Sequence, residues 1–158
     1  MDDLLTLLNY HAWATARVLE ALEPLSAEEM ERDLHSSHGG VKGTLAHTYS
    51  ADLIWTARLK GESSPPFLEP AELPARSELL PLWLAHLDER RAYVAPMRPD
   101  QLFSYPNLKG EAQTNRVGDI LRHVVNHATH HRGQLVTMLR QLGHAAPNTD
   151  LIRFYRER

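Results

Sequence analysis

Four of the chain's 10 histidines fall within nine residues, His123 to His131, in the segment LRHVVNHATHHRGQL. Imidazole can ligate a metal, carry a proton or hydrogen-bond near neutral pH. Which of these a ring does depends on the face of the element that carries it. The segment reads as part of a long helix from about Val117 to Leu142, with Gly143 just past its end. On a wheel of ~100° per residue with His123 at 0°, the apolar residues Val117, Ile120, Val124, Ala128, Leu135, Met138, Leu139 and Leu142 centre near about 110°. His131 falls at about 80°, inside that stripe, and His127 at about 40°, on its shoulder. His123 and His130 fall at about 0° and about -20°, on the polar border with Asp119 and Asn126. The cluster therefore divides into an inward pair, His127 and His131, and an outward pair.

The inward pair is also spaced i and i+4, so the two rings are neighbours on one helix face. Two imidazoles so placed hold one metal ion in the HExxH sites. Here Ala128, Thr129 and His130 intervene, and the glutamate base of that motif is absent. A polar pair hydrogen-bonded inside a bundle satisfies the same spacing. Metal binding needs a third ligand from another element, and the residues alone leave three candidates. His47 flanks the apolar stripe of the second helix, His11 lies inside the apolar face of the first, and His86 lies on a mixed face of the third. Glu-x-x-His, the signature of carboxylate-bridged di-iron bundles, does not occur. A haem held by two histidines is compatible with the residue types. No carboxylate presents itself as a general base by spacing: Asp52 and Asp119 read as solvated, on polar helix faces. Arg132, beside His131 and Gln134, reads as one half of a salt bridge holding the bundle or a dimer, with an anion-binding side chain as the alternative. Tyr10, Trp13, Tyr49 and Trp55, at helical spacing, read as core.

The elements that must position these side chains are helices. The first runs from about Asp3 to Glu23, with Leu4, Leu8, Val18 and Leu22 on one face and Pro24 at its end. Ser26 with Glu29 three residues on is a capping-box pattern for a short helical turn. His35 and His38, among serines and glycines, read as loop. The second helix runs from about Val41 to Lys60 and stops at Gly61. A Pro-rich connection follows. The third helix runs from about Ser77 to Ala95, with Pro81 tolerable only in its first turn. LFSYPNLKGEAQTNR has no helical period and a turn signal at Asn107–Gly110, so a small hairpin or ordered loop is expected there. The tail, with Leu151, Ile152, Phe154 and Tyr155, is expected to pack back on the bundle. Four long amphipathic helices with little strand predict an all-α four-helix bundle. The long middle connection permits a crossover.

The bulk numbers exclude whole classes of function. The 158 residues suit one domain, and a net charge of -3 offers no basic face for nucleic acid. No apolar run is long enough to span a bilayer, so neither nucleic acid nor a membrane is an expected partner. The acidic start MDDLLTLL lacks the basic region of a secretory signal, and a cytoplasmic location is expected. The chain has no cysteine, so it has no disulfide, thiol nucleophile or Cys-based metal site. Any metal must be held by nitrogen and oxygen.

The segment NHATHHRGQL, Asn126 to Leu135, resembles the last-helix signature of the DinB/YfiT-like proteins, N-H-x-x-x-H-R-G-Q. YHAWATARVLEAL resembles the first helix of that family, where the position of His11 is commonly Asn; GTLAHTYSADLIWTARLKG resembles its second helix, and NTDLIRFYR its C-terminal segment. The resemblance covers nearly the whole chain in order, as a single domain of residues 1–158. It implies an up-down-down-up bundle, a homodimer, and a divalent metal, zinc or nickel, on three histidines. Carried over by position, these are His47, His127 and His131. The family includes enzymes that use low-molecular-weight thiols such as bacillithiol, mycothiol or glutathione, members described as metal-dependent hydrolases, and members linked to DNA-damage induction. The resemblance thus implies a small-molecule thiol or other small substrate as partner. An S-transferase is the expected activity, with a hydrolase or a non-catalytic stress protein as the alternatives. The His11 position departs from the family and suggests a supporting role beside the ligands.

Overall fold

The computed structural model describes residues 1–107 and 109–158. Four long helices dominate the described residues: α1 (Asp2–Ala21), α3 (Val41–Lys60), α4 (Arg76–Val94) and α5 (Val117–Gln141). The short α2 (Ala27–Glu31) follows α1 and α6 (Leu151–Glu157) ends the chain. Strands β1 (Leu102–Pro106) and β2 (Ala112–Arg116) form an antiparallel hairpin, with Leu102 opposite Arg116 and Pro106 opposite Ala112. The expected Asn107–Gly110 turn includes Leu108, which lies outside the described residues.

Local chemistry sets the element ends. Ser26 Oγ accepts from the Glu29 amide at 3.2 Å and the Glu29 carboxylate accepts from the Ser26 amide at 2.8 Å, the reciprocal capping box that starts α2. Gly61, at φ 72°, closes α3 in the left-handed conformation that glycine adopts without a Cβ clash. Pro81 corrects the expectation that it sits in the first turn of its helix: α4 begins at Arg76 and continues through it. Ser77 and Pro81 are both exposed, so water can satisfy the carbonyl that the missing proline N–H leaves free.

The buried apolar residues form two clusters. One takes the C-terminal half of α1 (Val18, Leu19) with its cap Leu22, the start of α3 (Val41, Leu45), the start of α4 (Leu79, Trp83) and the end of α5 (Leu135, Leu139). The other takes the start of α1 (Leu4, Leu8), the end of α3 (Leu59), the end of α4 (Val94) and the start of α5 (Val117, Ile120). Helices α1 and α5 therefore run one way, and α3 and α4 the other. This is the up-down-down-up order. The parallel α3 and α4 need the long crossover between Gly61 and Arg76 to return the chain to the same end. The tail docks by Phe154, whose ring meets Tyr10 and Trp13 at 5.9 and 5.7 Å.

Between the two apolar clusters each long helix contributes buried polar groups: His11 and Thr15 from α1, Thr48, Ser50, Asp52 and Thr56 from α3, Arg90 from α4, and His131 and Arg132 from α5. Buried polar groups persist only when hydrogen-bonded. What they bond to defines the site.

Candidate metal centre

Helix α5 presents its histidines as the wheel requires. His131 is buried and His127 half-buried, while His123 and His130 are exposed. Packing of α3 against α5 brings His47 to the inward pair. Its Nε2 lies 3.2 Å from His127 Nε2, and His127 Nε2 lies 3.2 Å from His131 Nε2. Two imidazole nitrogens bound to one zinc at about 2.0–2.1 Å in tetrahedral geometry sit about 3.3 Å apart. The three rings are inclined to one another by 53°, 65° and 66°. Their lone pairs can therefore approach one point from different directions.

The protonation of the rings suits ligation. His131 Nδ1 donates to Gln134 Oε1 at 2.7 Å, which places its proton on Nδ1 and leaves Nε2 with a free lone pair. Gln134 Nε2 donates in turn to Ser37 Oγ at 3.3 Å, tying the loop before α3 to α5. Burial, reinforced by the neighbouring imidazoles, pushes His47 and His127 down to about 4. Burial also lowers His131. All three are neutral at pH 7, the state that a metal requires. The donor set is all imidazole, which suits zinc or nickel and does not suit the oxygen-seeking magnesium or calcium.

Behind the cluster lies a buried network centred on Asp52. This corrects the reading of Asp52 as a solvated residue: it is 2% exposed. Its carboxylate accepts from His11 Nε2 at 3.0 and 3.2 Å, from Trp83 Nε1 at 2.8 Å and from Arg90 Nη1 at 2.6 Å. Burial alone would raise the Asp52 carboxyl, but the His11 ring and the Arg90 guanidinium overcome it and hold the group well below the usual carboxylate range. The wheel missed this because the residues that cover Asp52 come from α1 and α4, which sequence cannot place against α3. Asp119 is exposed and pairs with Arg122 at 3.1 Å.

The remaining candidates take supporting places. His11 is fully buried, and its Nδ1 accepts from Arg132 Nη1 at 2.8 Å. That bond fixes the tautomer with the proton on Nε2, toward Asp52. Burial lowers His11, so it stays neutral between Arg132 and the carboxylate. His86 Nε2 donates to Thr56 Oγ1 at 2.9 Å and to the Asp52 carbonyl at 3.2 Å. Arg132 departs from the expected salt bridge. Its guanidinium donates to His11 and to Thr129 Oγ1 and lies over the Tyr10 ring, and no carboxylate pairs with it among the described residues. His123 packs edge-on to Trp55 at 5.1 Å. Tyr10 and Tyr49 are core, while Trp13 and Trp55 are only partly buried.

One residue at the cluster went unread. His38, assigned only to a loop, stacks on His47 with ring centroids 3.9 Å apart, and one ring nitrogen from each of His38, His47 and His131 lies within 4.8 Å of the others. No helical period carries His38, so its only sequence signal is the run HSSHGG, in which His38 stands nine residues before His47.

The same architecture occurs in known proteins. A crystal structure of a DinB-like protein from Bacillus cereus ATCC 10987 superposes with a TM-score of 0.66 over 94% of this chain and 96% of that one, at 14% identity. The two share a fold. Protein DinB of Bacillus subtilis strain 168 is 29% identical over 160 residues, covering 94% of this chain and 91% of that protein. The sequence profile of the DinB family matches residues 1–158. With the resemblance of Asn126 to Leu135 now matched by a profile over the full length and by the bundle itself, the chain belongs to the DinB family.

Proposed function

We propose that the chain binds one divalent metal ion, zinc or nickel, on His47, His127 and His131 and uses it to activate a low-molecular-weight thiol for S-transfer to an electrophile. The two 3.2 Å contacts by which His127 Nε2 meets the Nε2 atoms of His47 and His131 carry this reading. A metal with three protein ligands keeps an open position, where it acidifies a bound thiol or water. The chain's own residues do the rest. Gln134 holds His131 by its Nδ1, and the half-buried cluster limits water around the ligands. The cleft beside His47, about 210 Å³ and lined by His38, Phe67, Leu68 and Glu69, admits a small molecule. The absence of cysteine means that the reacting thiol must arrive as a cosubstrate.

Elemental analysis and a thiol-consumption assay test the proposal. One metal per wild-type chain is expected, with none in His131→Ala. Zinc should raise the melting temperature of the first and not of the second. With metal loaded, bacillithiol, mycothiol or glutathione should be consumed against an electrophilic acceptor. Hydrolysis of esters or amides without thiol consumption would replace the transferase with a hydrolase. Unchanged metal stoichiometry in His131→Ala would overturn the site itself.

A further inference from the structure

We infer that His38 is a fourth, exchangeable ligand of the same metal, carried on the loop before α3 and able to close the open position when no substrate occupies it. This rests on the three-histidine site proposed above and adds to it a residue from outside the two ligand-bearing helices.

The loop is built to hold His38 over the cluster. A Cβ at Gly43 would lie 2.0 Å from the His38 carbonyl oxygen, and a Cβ at Gly40 would lie 2.0 Å from the Arg32 carbonyl oxygen. Only glycine lets the loop press this closely on the start of α3. The turn is closed by backbone bonds between Ser36 and Gly39 at 3.1 Å in both directions, and Gly39 adopts φ 76°. Ser37, the neighbour of His38, is bonded to Gln134, the residue that orients His131. The loop is thus fastened to both ligand-bearing helices.

The ring of His38 is free to ligate. Among the described residues no group is hydrogen-bonded to either of its ring nitrogens. Its ring nitrogen lies within 4.8 Å of those of His47 and His131, about a bond length from the spacing of co-ligands. The ring planes decide how it would act. His38 is stacked 3.9 Å from His47 and inclined only 16° to it, so one ion cannot lie in both ring planes, whereas His47, His127 and His131 are inclined to one another by 53° to 66°. His38 must turn on its side-chain torsions to join them. A ligand that must turn in can also turn out. It also lines the small cleft together with His47, so an entering molecule meets both rings.

X-ray absorption on the zinc-loaded wild-type chain should count four imidazoles in the absence of substrate; three would overturn the inference. His38→Ala should keep one metal per chain while weakening its hold about tenfold or more in chelator competition, the lower end of what loss of a supporting group does at such sites. The visible spectrum of the cobalt-loaded variant should change in intensity, and added imidazole should restore it. Gly43→Ala, which displaces the His38 backbone without removing its ring, should change the spectrum in the same sense. Wild-type affinity and spectrum in His38→Ala would overturn the role of His38 while leaving the three-histidine site standing. A wild-type chain that takes up no metal would overturn both.

Discussion

Gln134 accepts a 2.7 Å hydrogen bond from His131 Nδ1, three residues earlier on the same helix. This one contact selects the tautomer that offers His131 Nε2 to the cluster. Its partner is a neutral amide, which supports the ring without adding charge. Gln134→Leu should therefore weaken metal binding about 10–100-fold, as measured by chelator competition. Gln134→Glu keeps an acceptor at the same place and should hold affinity near that of the wild type. Equal affinity in the leucine variant would show that the bond does not set the tautomer.

Asp52 carries the buried charge that balances Arg90 at 2.6 Å. Removing one partner of a buried pair leaves the other uncompensated, at a cost of about 3–5 kcal/mol. Asp52→Asn should destabilise the metal-free chain by that amount in denaturant titration, since the amide keeps the shape and loses the charge. A loss below about 1 kcal/mol, the scale of an exposed ion pair, would contradict the account.

Two glycines make opposite predictions. Gly133 lies in α5 with nothing within 4 Å of an added Cβ, so Gly133→Ala should stabilise the chain by about 0.5–1 kcal/mol through helix propensity. Gly43 lies in α3, where the same gain is outweighed by the 2.0 Å clash with the His38 carbonyl oxygen. Gly43→Ala should cost about 1–3 kcal/mol, the range for overpacking. Thermal melts of the two variants should move in opposite directions.

The metal-free chain should lose stability as the pH falls from 6.5 toward 4. Burial depresses His47 and His127 from 6.5 to about 4, and lowers His11, His86 and His131 as well. In that window the unfolded chain binds protons that the folded chain does not, so stability rises with pH through it. Asp52 and Glu29, both depressed in the folded state, add a further loss at still lower pH. Melting temperatures of the metal-free chain between pH 4 and 7 should follow this slope. A flat profile would mean that the histidines titrate alike in both states.

The sequence by itself determined the helices and the facing of α5. Periodicity near 3.6 residues is a local property, and it separated His127 and His131 from His123 and His130 without reference to any partner. The bounds of α3 and the capping box at Ser26 were legible for the same reason: each depends on residues within one turn. Family resemblance supplied His47, which spacing alone could not choose over His11 and His86. Only the tertiary structure decided the rest. Asp52 looked solvated because the groups that bury it, His11, Trp83 and Arg90, come from helices 41, 31 and 38 residues away. Arg132 looked like half of a salt bridge until packing of α1 on α5 gave it the His11 lone pair and the Tyr10 face. His38 carried no periodic signal, and its place over His47 follows from how closely a loop can approach a helix at Gly43. Pairings between distant elements depend on the relative placement of whole helices, and no short window of sequence encodes that.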